Sequence, residues 1–151
     1  MSTTTRDRSQ PLLRVPRDQT PVILILDDGQ RSNAFLFVPV GTSVLSALEN
    51  SSAFLPVNFA DGTKLVARDS IACISMYGIP EDELPGEQQR VVVRLRSGHL
   101  VKGDMRWIAQ PDYRRVLDHL NDRSTHIVLH DNDYVSYVSK AHIMAVEELP
   151  C

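Results

Sequence analysis

The residues most able to do chemistry are histidines, and all five lie in the second half of the chain: His99, His119, His126, His130 and His142. A metal centre needs three or four such ligands converging in fixed geometry. In the strand-like run His126-Ile-Val-Leu-His130, alternation turns Ile127 and Leu129 inward and both histidines outward. Exposed or rim histidines are the reading this favours, with no metal ligands assigned. Asp122, Asp131 and Asp133 fall in turn-like segments, where the short carboxylate serves the backbone, so they are not read as a catalytic pair.

Cys73 sits inside an apolar run and Cys151 at the last position, far apart and without ligand spacing. Cys73 reads as a small buried hydrophobe. No Gly-rich phosphate loop, G-x-S-x-G elbow or Cys-His spacing occurs. The expectation is therefore no catalytic residue, no cofactor and no enzyme; a metal-dependent enzyme is the third and weakest reading.

Charge narrows the partner. Sixteen Lys and Arg against nineteen Asp and Glu give a net charge of −3, a poor footprint for general nucleic-acid or anionic-membrane binding. Arg90, Arg94, Arg96, Lys102, Arg106, Arg114 and Arg115, with Trp107 and Tyr113, form a basic cluster that could serve as a ligand patch. Asp104, Asp112 and Asp118 are interleaved with it, and the whole reads as a solvated face. No apolar h-region opens the chain and no run reaches the ~18 residues of a membrane span, so a cytoplasmic setting is expected.

The elements that would position these residues are strands, and they come twice. Val22 to Val38 aligns with Val91 to Trp107 at an offset of 69 (91 − 22), Gly29 falling on Gly98 and Ala34 on Gly103. Val44, Leu48, Asp61, Val66 and Ile71 align with Val116, Leu120, Asp133, Val138 and Ile143 at an offset of 72 (116 − 44). Each copy reads β-β-α-β-β-β. In the second, Val91, Val93 and Leu95 alternate with Val92, Arg94 and Arg96, and Gly98 supplies the turn. His99, Val101, Gly103, Met105 and Trp107 then return on the inner face. Thr42 or Ser43 would cap a short helix carrying Val44, Leu45 and Leu48. Pro111 to Asn121 reads as its counterpart, with Val116, Leu117 and Leu120 inward. The divisions expected are a flexible arm over 1–20, a first repeat over 21–77, an acidic Pro/Gly linker over 78–89 and a second repeat over 90–149.

The hairpin Val91-Val-Val-Arg-Leu-Arg-Ser-Gly-His-Leu-Val-Lys-Gly103, with Ser139-Lys140-Ala-His142-Ile143 before the last strand, resembles the Sm-like (Hfq-like) small-barrel family, and more nearly an uncharacterised bacterial branch of it whose barrel a helix interrupts. The first copy offers Leu24 to Ala34 and Ala67-Arg68-Asp69-Ser70-Ile71 at those places. The resemblance implies a mainly β protein of two tandem Sm-like small barrels, each with one short helix inserted. It also implies RNA binding through the last loops, at Lys140 and His142 in one copy, with Arg68 and Ser70 at the matching places in the other.

The copies differ most on one face. Where the second has Arg94, Asp104 and Arg106, the first has Ile25, Phe35 and Phe37, with Ile23 matching Val92. A monomer seldom leaves such a wall in water, so it should pack against the second copy, another subunit or a partner protein. The favoured expectation is a non-enzymatic interaction or assembly module, self-associating or partner-bound through Ile23, Ile25, Phe35 and Phe37. An RNA-binding protein using Lys64, Arg68, Lys140 and His142 is the alternative.

Overall fold

Period-two alternation runs through most of the chain, and the protein folds accordingly as ten antiparallel strands in one sheet with two short helices. The structure is a computed structural model that describes residues 17–39, 41–49, 53–78, 86–108, 110–111 and 115–150. In chain order the first half holds β1 (Arg17–Leu26), β2 (Arg31–Pro39), α1 (Val44–Glu49), β3 (Phe54–Phe59), β4 (Gly62–Ala67) and β5 (Ile71–Tyr77). The second holds β6 (Glu87–Leu95), β7 (Leu100–Trp107), α2 (Val116–Leu120), β8 (His126–Asp131), β9 (Tyr134–Ser139) and β10 (Ile143–Glu148). One 3-10 turn, Arg68–Ser70 or Lys140–His142, precedes the last strand of each half.

Across the sheet the order is β10-β6-β7-β8-β9-β5-β1-β2-β3-β4. The sheet is open. Among the described residues β10 and β4 are its edges, each with one neighbour, and neither half closes on itself through a β4·β5 or β9·β10 ladder.

Pairings in the first half recur in the second at the offsets the sequence carries. Val22 faces Ala34 as Val91 faces Gly103, and Phe59 faces Gly62 as Asp131 faces Tyr134. The bulge that follows the rung Leu26–Ile71 recurs after Leu95–Ile143. Even the tie from the hairpin turn to the 3-10 turn repeats: Asp27 N–H to Ser70 O and Arg96 N–H to His142 O, both 2.8 Å. Gly29 and Gly98 take φ of 92° and 98° in these turns, a conformation that costs other residues energy.

Two apolar clusters fill the interior. The first is built on Leu24, Leu36, Leu48, Val57 and Ile74. The second, on Val91, Val93, Leu95 and Leu129, is completed by Ile25, Ala72 and Cys73 from the first half. β5 is therefore buried on both faces, and Ile71-Ala72-Cys73-Ile74 is a continuous apolar run for that reason. Ser43 caps α1, its Oγ accepting from Ser46 N–H at 3.0 Å.

Several boundaries shift. β1 begins at Arg17, so residues 17–20, expected in the arm, pair with β2, and the rest of the arm lies outside the described residues. β6 begins at Glu87, so the end of the expected linker is strand, while residues 79–85 lie outside the description. α2 starts only at Val116, with Pro111 in a turn before it; Leu117 is 52% exposed instead of packed inward. Its start is set by Asp118, whose carboxylate accepts from the Arg115 N–H and guanidinium at 3.1 Å each. Leu45 is only half-buried, and Ala47 takes the inward place in α1.

Candidate functional site

The feature that organises the molecule is the junction where β5 of the first half meets β9 of the second. Cys73, Ile74, Ser75 and Met76 face Val138, Tyr137, Ser136 and Val135 in an antiparallel ladder. Ser136 is the one buried polar residue among those described, and its Oγ shares a 2.7 Å hydrogen bond with the Ser75 Oγ. That bond removes the penalty of burying two hydroxyls. Cys73 lies beside Ser75 at 3.7 Å, and burial pushes its thiol up to about 11 against the lowering pull of the two serines and Arg31. Beyond the ladder the rings of Tyr77 and Tyr134 meet at 4.6 Å, and Gly78 N–H donates to Asp133 O at 2.7 Å. On the hairpin turns the His99 Nε2 sits 2.7 Å from Gly29 O.

The four residues of the expected apolar wall are divided by this junction. Ile25, 7% exposed, is no part of an outer surface: the second half covers it, because β5 and β9 pair. Ile23 and Phe35 line an open groove of about 460 Å3 with Pro21, Phe59, Met76, Tyr77 and Tyr134. Phe37 is half-buried and lies outside that groove.

Of the residues named for RNA binding, Arg68, Lys140 and His142 share a second pocket of about 350 Å3 with Leu48, Glu49 and His126. Lys64 does not join them. It stands near the Asp61-Gly62 turn, 3.2 Å from Asp61 and over the Phe59 ring at 5.2 Å. Lys140 is committed inward, its ammonium 2.6 Å from the Asp122 carboxylate and 2.7 Å from His119 O. Burial alone would raise the Asp122 pKa, but hydrogen bonds from Lys140 and Ser124 and the Lys140 charge pull it from 3.8 to about 2. His142 Nδ1 is 3.0 Å from Ser139 Oγ. Burial, then the charges of Arg68 and His142, hold His126 below the ordinary imidazole range.

No group of three or more metal-ligating side chains gathers among the described residues, and no helix among them is long and apolar enough to cross a membrane. Sequence reasoning missed Ser75 and Ser136. The available signal was a small hydroxyl set among apolar residues, Ser75 between Ile74 and Met76 and Ser136 next to Val135. Comparison with known proteins finds no matching family model, curated protein or solved structure.

Proposed function

We propose that the chain is a non-enzymatic assembly module of two tandem Sm-like units that associates with further copies through its sheet edges. One observation carries this reading. Within the chain, the last strand of the first half pairs with the fourth strand of the second, β5 on β9, while their counterparts β10 and β4 are left as edges among the described residues. An unpaired edge offers a row of backbone donors and acceptors to another strand. Such an interface is head to tail, so it closes into a ring or runs on as a filament. Sedimentation velocity of the full chain over a wide concentration range tests it: association supports the reading, and a monomer throughout removes it.

The pocket shared by Arg68, His126, Lys140 and His142 favours a second reading, binding of nucleic-acid phosphate. The Lys140–Asp122 pair and the lowered pKa of His126 weaken it, since both reduce the positive charge on offer. A labelled single-stranded RNA that fails to shift even at low salt would eliminate it.

A further inference from the structure

Resting on the assembly reading, the internal junction specifies which residues would meet between molecules. β3 and β8, β4 and β9, and the strand starts of β5 and β10 are all related by 72 residues (126 − 54, 134 − 62, 143 − 71). That offset carries Cys73, Ile74, Ser75 and Met76 of β5 to Ala145, Val146, Glu147 and Glu148 of β10. It carries Val138, Tyr137, Ser136 and Val135 of β9 back to Val66, Leu65, Lys64 and Thr63 of β4. The rung Ser75–Ser136 becomes Glu147 against Lys64.

We propose that β10 of one molecule pairs antiparallel with β4 of a second copy in the register that sets Glu147 opposite Lys64. Charge complementarity argues for this partner. Opposite charges on facing strands attract, and like charges repel. A β4·β4 contact would bring lysines together and a β10·β10 contact glutamates, so only the head-to-tail pairing matches charges. Charged edge residues usually block strand addition; here the same two charges select one partner.

Apolar exposure points the same way. Leu65, 72% exposed, stands where Tyr137 is half-buried by the internal junction, and Met144, 57% exposed, where Ala72 is 1% exposed. The ladder would end at Leu149. Pro150 occupies the place of Gly78, whose N–H makes the last internal bond, and proline has none to give.

Sedimentation velocity of the full chain tests the register with Lys64→Glu and Glu147→Lys. Both sites are exposed, so both variants should stay folded, Lys64→Glu losing only the surface contacts with Asp61 and Phe59. Each alone carries like charges on its two edges, and its association should weaken about tenfold or more. Mixed in equal amounts the two variants present opposite charges to each other, and association should return in the mixture. A wild type that associates, with single variants that do so equally well or a mixture that stays dissociated, overturns the register and leaves edge assembly standing. A wild type that is monomeric throughout overturns both.

Discussion

Ser75 Oγ and Ser136 Oγ, 61 residues apart in the chain, lie 2.7 Å from each other in the middle of the β5·β9 ladder. Their bond joins the two halves at a point where no water competes on the Ser136 side, 7% exposed. Ser136→Ala leaves the Ser75 hydroxyl only its long contact with Cys73 Sγ and should lower unfolding free energy by about 1 kcal/mol. Replacing both serines by alanine should cost less than the sum of the single changes, because no orphan remains. Urea denaturation of the three variants measures this, and strict additivity would count against the bond.

Gly103 marks a close approach of β7 and β8. A Cβ there would meet Leu129 Cβ at 2.8 Å and the His130 backbone O and N at 3.1 and 3.2 Å. Backbone atoms cannot move aside cheaply, so Gly103→Ala should destabilise by roughly 1–3 kcal/mol. Ala34 holds the corresponding place in the first half and is buried there without such a conflict, so Ala34→Gly should cost only about 1 kcal/mol or less. A shift in thermal midpoint larger for Ala34→Gly than for Gly103→Ala would contradict this.

These two sites show what the sequence could express. Local pattern named the hairpins, because alternation and a turn glycine at Gly29 or Gly98 are properties of neighbouring residues. Gly103 was legible only as an inward strand position; its close approach to Leu129 and His130 was not. Ile25 was legible as part of an apolar face that needs a cover, but which cover was not. Its parity points away from its own half, and only the order of strands supplies the second half that covers it. The same holds for Lys140, which reads as an exposed loop cation until the fold sets Asp122 against it. Val116, Leu117 and Leu120 suit a helical face, and part of the expected helix before them, residues 112–114, lies outside the described residues. Capping by Asp118 starts the helix late and leaves Leu117 in water.

The Asp122–Lys140 pair should give the protein an acid limb of instability. Both side chains are largely covered, at 22% and 16% exposed. The carboxyl pKa falls from 3.8 to about 2 on folding, so its contribution is fully present above pH 3.8 and lost as pH falls through about 2. Discounted for residual solvent, the pair is worth about 1–2 kcal/mol. Asp122→Asn should be less stable by that amount at neutral pH, and the gap from wild type should close between pH 3.8 and about 2. A gap independent of pH in that window would show that the ionised carboxylate is not what stabilises the loop.

Cys73 should be a reporter of junction opening. At 1% exposed, with its thiol pushed to about 11 chiefly by burial, it is protonated and shielded in the folded protein. Because its pKa rises from 9.0 on folding, its stabilising effect is complete below pH 9.0 and erodes as pH climbs towards about 11. In a Cys151→Ser background, thiol labelling at about pH 8 should be slow and should track added urea along the unfolding curve. Fast labelling in the absence of denaturant would place Cys73 outside the core.

Ile25 and Arg94 hold equivalent places in the two halves, and their exchange should separate a permanent junction from an exposed edge. Ile25 lies under the second half with Ala72 and Cys73, so Ile25→Arg puts an unpaired charge into an apolar cluster. That change should cost about 3–5 kcal/mol, enough to expose both clusters at ordinary temperatures. Arg94 faces solvent on β6 beside the edge strand β10, so Arg94→Ile should leave unfolding free energy within about 0.5 kcal/mol. It should instead raise the sedimenting mass at a given concentration, since an apolar residue beside a free edge favours contact with another copy. Thermal denaturation and sedimentation of both variants decide the point. An Ile25→Arg protein as stable as the wild type would mean that the two halves do not pack through β5 and β9 as the ladder has them.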